Sequence, residues 1–205
     1  MRIKHPAERT DGMAHSDKTK LLLAEELKRQ CRTTQFSRIT VGGLCAACGL
    51  DRRTFYYHFR DIYDLAAWVF DHSLVKFLPS ESGYPGIHEI EEALTLLKKD
   101  ASFYRRALDD SSQNALGRHI LAHSAQNYAA ARKQLLGTDV LSEEDLFAID
   151  YHCFGSLGII RRWLYHDCKP APELVAQLIV SVMPDALRQL YDTSEDSNGL
   201  SEKKA

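Results

Sequence analysis

Ile39-Thr-Val-Gly-Gly-Leu-Cys-Ala-Ala-Cys-Gly-Leu-Asp-Arg-Arg-Thr-Phe-Tyr-Tyr-His-Phe-Arg-Asp-Ile-Tyr-Asp-Leu65 decides the fold, because its spacing is that of two short helices joined by a glycine turn. Thr40 is placed to cap the first helix through its hydroxyl, and Leu44, Cys45 and Cys48 then recur at helical spacing. Gly49 stops that helix, since a position just past a helix end commonly needs the left-handed backbone that glycine adopts without steric cost. Leu50 follows as an apolar plug. The second helix starts near Asp51 or Arg52 and buries Phe55 and Phe59. Arg52, Arg53, Thr54, Tyr56 and His58 remain for its other faces, a mixture of cations, hydroxyls and aromatics suited to a phosphate-lined groove.

The composition fits this pattern once the charge is divided. The 205 residues carry a formal net charge of −2 and are 44% hydrophobic, enough for one small and one medium domain, each with a core. Residues 1–78 hold 13 Lys and Arg against 9 Asp and Glu, an excess of +4, whereas residues 79–205 hold 13 against 19, an excess of −6. The positive charge therefore lies with the motif, where a groove-facing surface needs it. The chain has no apolar run long enough to span a bilayer, and its start, Met1-Arg-Ile-Lys-His-Pro, lacks the apolar core of a secretory signal, so a cytoplasmic address without membrane contact is expected. Five cysteines without a repeated framework read as reduced thiols.

From about Lys18 to Leu74 the chain resembles the N-terminal domain of the TetR family of transcriptional regulators, and the run Thr54-Phe-Tyr-Tyr-His-Phe59, followed by Asp61 and Leu65, carries most of that resemblance. The resemblance implies an all-α fold: a three-helix helix-turn-helix unit joined by a long fourth helix to a C-terminal helical domain for dimerisation and ligand binding. It also implies a homodimer on a palindromic operator, with Thr40, Thr54 and His58 on phosphates and Arg52, Arg53 and Tyr56 near base edges. With Tyr57, these seven residues are the candidate DNA contacts. Two positions depart from the family pattern. Ile62 stands where a lysine commonly holds a phosphate, leaving Arg60 as its possible substitute, and an Ile62→Lys change is expected to tighten binding. Gly42 and Gly43 stand at the start of the second helix, where a reading side chain could be.

Periodicity places a flexible tail at residues 1–15, the DNA-binding unit at 16–60, a helical regulatory and dimerisation domain at 61–192 and a second tail at 193–205. Asp61 and Asp64 have capping-box spacing before a fourth helix that is expected to run to about Leu78. Pro79-Ser-Glu-Ser-Gly-Tyr-Pro-Gly86 is the clearest break. Helices are expected from His88 to Lys99, Ala101 to Leu108, Ser112 to Leu136, Ser142 to about Tyr165 and Glu173 to Tyr191. The last turns Leu174, Leu178, Val182 and Leu190 inward. Gly155 and Gly158 interrupt the long helix, each at a cost of about 1 kcal/mol relative to alanine, which suggests a close approach there. The string Gly155-Ser-Leu-Gly-Ile-Ile-Arg-Arg-Trp-Leu164, then Pro170 and an apolar helix, is similar to the C-terminal domain of a TetR subgroup that includes regulators of dihydroxyacetone kinase operons. Two amphipathic helices with surplus apolar stripes would pair with a second copy as a four-helix bundle.

Other constellations read more plainly. Cys45 and Cys48 have thiol-pair spacing but face the core of the motif without a second pair, and His119 with His123 share a helix face without a third ligand, so no metal and no cofactor is expected. No nucleophile, base and oxyanion donor assemble, and no catalysis is expected. Trp68, His72, Phe103, Arg118, Tyr128 and Tyr151 are the candidate ligand-binding residues, with Tyr104 and Phe154 in the same aromatic set. They point to a small polar or anionic effector. The alternative is an interaction module whose C-terminal domain docks a partner protein.

Overall fold

The computed structural model describes residues 6–78, 86–109 and 116–190, and among them the chain is helical with no strand. Helix α1 spans Pro6–Gln30, and after a 3-10 turn at Phe36–Arg38 come α2 (Val41–Cys48), α3 (Arg52–His58) and α4 (Ile62–Leu74). A second 3-10 turn, Val75–Phe77, ends this half. The C-terminal half holds α5 (Ile87–Lys99), α6 (Ala101–Asp109), α7 (Leu116–Leu136), α8 (Glu143–Tyr165) and α9 (Pro172–Ser181), with a further helical stretch over 185–190.

Local chemistry fixes these boundaries. Thr40 accepts the Gly43 amide at 3.1 Å, and Gly49 closes α2 in the left-handed conformation at φ 65°. Asp51 accepts the Thr54 amide at 2.6 Å to start α3, and Asp61 accepts the Asp64 amide at 2.8 Å to start α4. Ser142 and Asp145 form a full capping box at α8, and Gly137, at φ 64°, closes α7.

Four expectations need correction. Helix α1 starts at Pro6 rather than near Ser16; proline suits a first helical position, where its missing N–H costs nothing. The fourth helix ends at Leu74 after 13 residues and tightens into a 3-10 turn instead of running to Leu78. The last helix is divided: α9 stops at Ser181 and helical structure resumes at 185, because Pro184 has no N–H to donate and its ring clashes with the preceding turn. Leu174, Leu178 and Val182 point outward, and α9 instead buries Val175, Ala176 and Ile179. The break expected at 79–86 falls, except for Gly86, outside the described residues, as do the tail at 193–205 and the expected start of α7 at Ser112.

One core runs through both halves. Leu23, Leu27, Leu44 and Phe55 of the first three helices join Leu65 and Val69 of α4, and the same cluster continues through Leu94, Phe103 and Leu164. In the C-terminal half α5 packs on α9 and α7 on α8. A second cluster, with Tyr128, Ile149, Met183 and Leu187, sits between α7, α8 and the segment after α9.

A buried ion pair stitches that second cluster together. Arg132 on α7 donates through Nε to Asp145 at 2.8 Å and through Nη1 to Gln189 at 2.9 Å. The Ser142 hydroxyl and then the Arg132 guanidinium hold the Asp145 carboxyl below its ordinary range. Breaking a buried pair strands the partner charge, so Asp145→Ala is expected to cost about 3 to 5 kcal/mol in urea denaturation. The double change Arg132→Met with Asp145→Leu is expected to recover a large part of that loss. Equal stability of Asp145→Ala and the native chain would show that the pair contributes nothing.

Candidate nucleic-acid interface and interior cavity

The α2–α3 unit presents one exposed face. Phe55 and Phe59 are buried against the core, which fixes the rotation of α3 and turns Arg52, Arg53, Tyr56 and Tyr57 to solvent; Tyr57 is 82% exposed. Thr54 and His58 are half-buried on the side facing Ser16 and Thr19 of α1, where they border a shallow depression with Arg53 and Tyr57. Thr40 is exposed at the start of α2. All seven candidate DNA contacts thus lie on α3 or at the N-terminus of α2.

Gly42 explains the placement of Arg52. A methyl group at residue 42 would stand 2.5 Å from Arg52 Nη2 and 3.2 Å from Cζ, so the guanidinium lies over the start of α2 and would have to shift if residue 42 carried a side chain. The turn between the two helices is set by the caps at Thr40 and Asp51 and by the left-handed Gly49. Ile62, by contrast, is 7% exposed and packs in the core. The expectation that a lysine there would tighten binding does not hold, because a lysine would give up core contacts to bring its ammonium out. Arg60 is exposed nearby, with Nη2 3.2 Å from Asp64.

The six candidate ligand residues do not share one pocket. Trp68 and Arg118 line an open groove between α4 and α7, where His119 Nε2 is 2.7 Å from Asp71 and the exposed His72 stacks on Trp68 at 4.6 Å. Phe103 is core. Tyr151 is 65% exposed on α8, with Phe147 stacked beside it. Tyr128 alone of the six lines a second, smaller cavity of about 140 Å³ bounded by α4, α5, α7, α8 and α9. Its walls are chiefly apolar, with Phe70 and Leu74 from α4, Leu94 from α5 and Leu157 from α8. The polar wall is Ser124, Tyr128, His152 and Ser156. Nothing in the local pattern marked His152, whose only sequence signal is a histidine one residue before the apolar stripe position Cys153.

The thiols and the second histidine pair offer little chemistry. Burial raises the Cys45 and Cys48 thiols and pushes Cys153 up to about 12, so these groups stay protonated at neutral pH. His123 hydrogen-bonds Asn127 at 2.9 Å, and no metal-binding group of three His, Cys, Asp or Glu occurs among the described residues. No helix among them is long and apolar enough to cross a membrane.

The surface of α8 and α9 is unusually apolar. Phe147, Tyr151 and Phe154 are exposed in one stripe, and Leu174, Leu178 and Val182 in another, with Val182 at 75%. Gly155 and Gly158 lie on the same exposed side, and a methyl group on either would meet nothing within 4 Å, so the close approach expected at them does not occur within the chain.

Residues 88–185 match the family described as "Transcriptional regulator C-terminal region". A solved structure titled "Dihydroxyacetone kinase operon activator DhaS" superposes with a TM-score of 0.59 at 20% identity, covering 84% of this chain and 96% of that one, which establishes a shared fold. No curated protein matches the chain in sequence.

The cavity generates a pH dependence. Burial pushes the His152 imidazole down to about 4, while its Nε2 shares a hydrogen bond with the Tyr128 hydroxyl at 3.2 Å. An unfolded chain, with its histidine near 6.5, binds the proton more strongly over that interval, so stability is lost as the pH falls from about 6.5 to about 4. Urea denaturation of the native chain and His152→Gln across this range should show a steeper decline for the native chain, by at most about 1.4 kcal/mol per pH unit. Parallel declines would place the imidazole in water.

Proposed function

We propose that the chain, which the C-terminal match and the shared architecture support as a transcriptional regulator of the TetR family, works in the cytoplasm as a homodimer on a palindromic operator under the control of a small-molecule effector. The observation that carries this reading is the exposed face of α3, whose cations and tyrosines project from a helix anchored by Phe55 and Phe59. An Arg guanidinium can form two parallel bonds to guanine O6 and N7, which gives Arg52 and Arg53 the base-reading role, with Tyr56 beside them. Thr40, Thr54, Tyr57 and His58 take phosphates and set the register. No catalytic step is assigned.

The exposed stripes on α8 and α9 support dimerisation. Exposed apolar surface of this kind marks an interaction site, and two helices from each copy would close it as a four-helix bundle, with Gly155 and Gly158 letting the backbones approach. An effector then acts through geometry. Half-sites one duplex turn apart tolerate little misfit, and a ligand that favours the wrong separation of the two α3 helices weakens binding. Repression is the proposed sign. The similar structure is named an operon activator, which supports activation as the second reading, and the test is whether deleting the gene raises or lowers transcription next to the bound sites.

Two measurements test this function. In a binding selection from genomic fragments followed by titration, Arg52→Ala or Arg53→Ala should reduce the preference for the operator over scrambled DNA by about 1 to 3 kcal/mol, roughly 5- to 150-fold. Thr54→Val should weaken both DNAs nearly equally. If neither arginine variant alters the ratio, base reading lies elsewhere. In sedimentation, the native chain should be a dimer at micromolar concentration and Leu178→Asp or Phe154→Glu should yield monomers; a folded native monomer would refute the bundle.

A further inference from the structure

The exposed face of α8 changes character at its two glycines. Along residues 143–154 the exposed charges are all acidic, Glu143, Glu144 and Asp150, and the exposed rings are Phe147, Tyr151 and Phe154. Along residues 155–166 no acid occurs, and Arg161 and Arg162 are exposed. Arg161 is 3.6 Å from Asp109, but Glu144, Asp150 and Arg162 enter no ion pair with another described residue. The acidic and basic halves cannot meet within one helix, since Asp150 and Arg162 are separated by about 18 Å at 1.5 Å per residue. They are matched in spacing. Counted outward from Gly155 and from Gly158, Phe154 and Ile159 are one residue away, Tyr151 and Arg162 four, and Phe147 and His166 eight. Ile159, Arg162 and His166 also line a groove of about 220 Å³ between α8 and α9, together with Leu178 and Val182. That space is larger than the roughly 150 Å³ of an apolar cavity that takes up benzene, so it admits an aromatic ring.

We propose that a second copy of this chain docks on this face with its α8 antiparallel, the two helices crossing between Gly155 and Gly158, so that Phe147 and Tyr151 of one protomer cover the groove beside the partner's Arg162. This rests on the homodimeric reading above and supplies the orientation and register which that reading left open. A parallel alignment would set Asp150 against the partner's Asp150 and Arg162 against the partner's Arg162, and like charges across an interface cost affinity. The antiparallel alignment sets Glu144 and Asp150 toward the partner's Arg161 and the partner's Arg162, and a guanidinium over the Tyr151 ring is itself favourable. Phe154 falls opposite the partner's Gly158, where a methyl group would meet nothing of its own chain and a ring therefore has room. Selectivity follows from the same pattern, because a helix with its charges in another order would bring like charges together.

The test is a charge exchange in the full chain, read as the dimer dissociation constant in sedimentation, with a cooperative thermal transition confirming that each variant folds. Glu144→Lys with Asp150→Lys should weaken the dimer about tenfold or more, and so should Arg161→Glu with Arg162→Glu. All four changes in one chain should bring the constant back to within about threefold of the native value, a rescue that requires contact between copies because the exchanged residues are too far apart to meet in one. Gly158→Leu should weaken the dimer while leaving the fold intact, since the new side chain is clear of its own chain. Mild oxidation gives a readout that needs no charge reversal. Tyr151→Cys with Arg162→Cys should form a covalent dimer, whereas Tyr151→Cys alone should not, because the antiparallel register holds the two copies of residue 151 about 16 Å apart, beyond disulfide reach. A covalent dimer of Tyr151→Cys alone overturns the register, as do charge reversals without effect, a fourfold variant no tighter than the pairwise ones, or an unchanged constant in Gly158→Leu; the dimeric reading survives each of these. A folded native monomer overturns the dimeric reading itself and the register with it.

Discussion

Everything in this molecule depends on α4 being buried from both sides. Its inward residues, Ile62, Leu65, Ala66, Val69, Phe70 and Leu74, tie the first three helices and the C-terminal helices into one core. The first residues complete the core under α3, and the last complete the wall of a cavity that also belongs to α5, α7 and α8. A helix of this length is stiff, rising about 1.5 Å per residue, so displacement at Leu74 is transmitted to Ile62 as a whole-body shift rather than absorbed along the way. A second tie runs beside it. Lys28 of α1 is 2.8 Å from Asp100, and Arg106 of α6 reaches the Arg32 carbonyl at 3.4 Å, so the end of α1 is held to the start of α6 by polar contacts while α4 holds it by apolar ones.

How far the sequence revealed this depended on the range of the interactions involved. The caps at Thr40 and Asp61 and the stop at Gly49 are contacts within four or five residues, and spacing alone disclosed them. The exposed face of α3 was legible for the same reason, since Phe55 and Phe59 fix which side of a short helix is buried. The reading of one helix from Glu173 to Tyr191 passed over Pro184, although a missing N–H and a ring clash are local and decisive. Leu174, Leu178 and Val182 were misplaced because α9 has two apolar faces. Periodicity reports that a stripe is apolar and cannot report whether it meets its own core or open surface.

The cavity was the least legible feature. Its polar wall combines Ser124 and Tyr128 from α7 with His152 and Ser156 from α8, residues brought together only by the packing of two helices around the Arg132–Asp145 pair. No spacing rule links positions 124 and 152. Aromatic and charged residues drew attention to Trp68, His72 and Arg118 instead, and these do cluster, but in a groove open to water, where Asp71 already occupies His119. Selecting residues by functional-group chemistry found polar surface, whereas a cavity lined by mostly aliphatic side chains has no such signature.

The nearness of Arg52 to Gly42 has a consequence for the exposed face of α3. A methyl group at residue 42 would stand 2.5 Å from Arg52 Nη2, so any side chain there obliges the guanidinium to shift. The glycine offers no group to a partner of its own, yet it decides which positions its neighbour's charge can take. An alanine in its place would close the position seen here and turn the cation elsewhere, so the charge pattern of α3 is set in part from the first turn of α2.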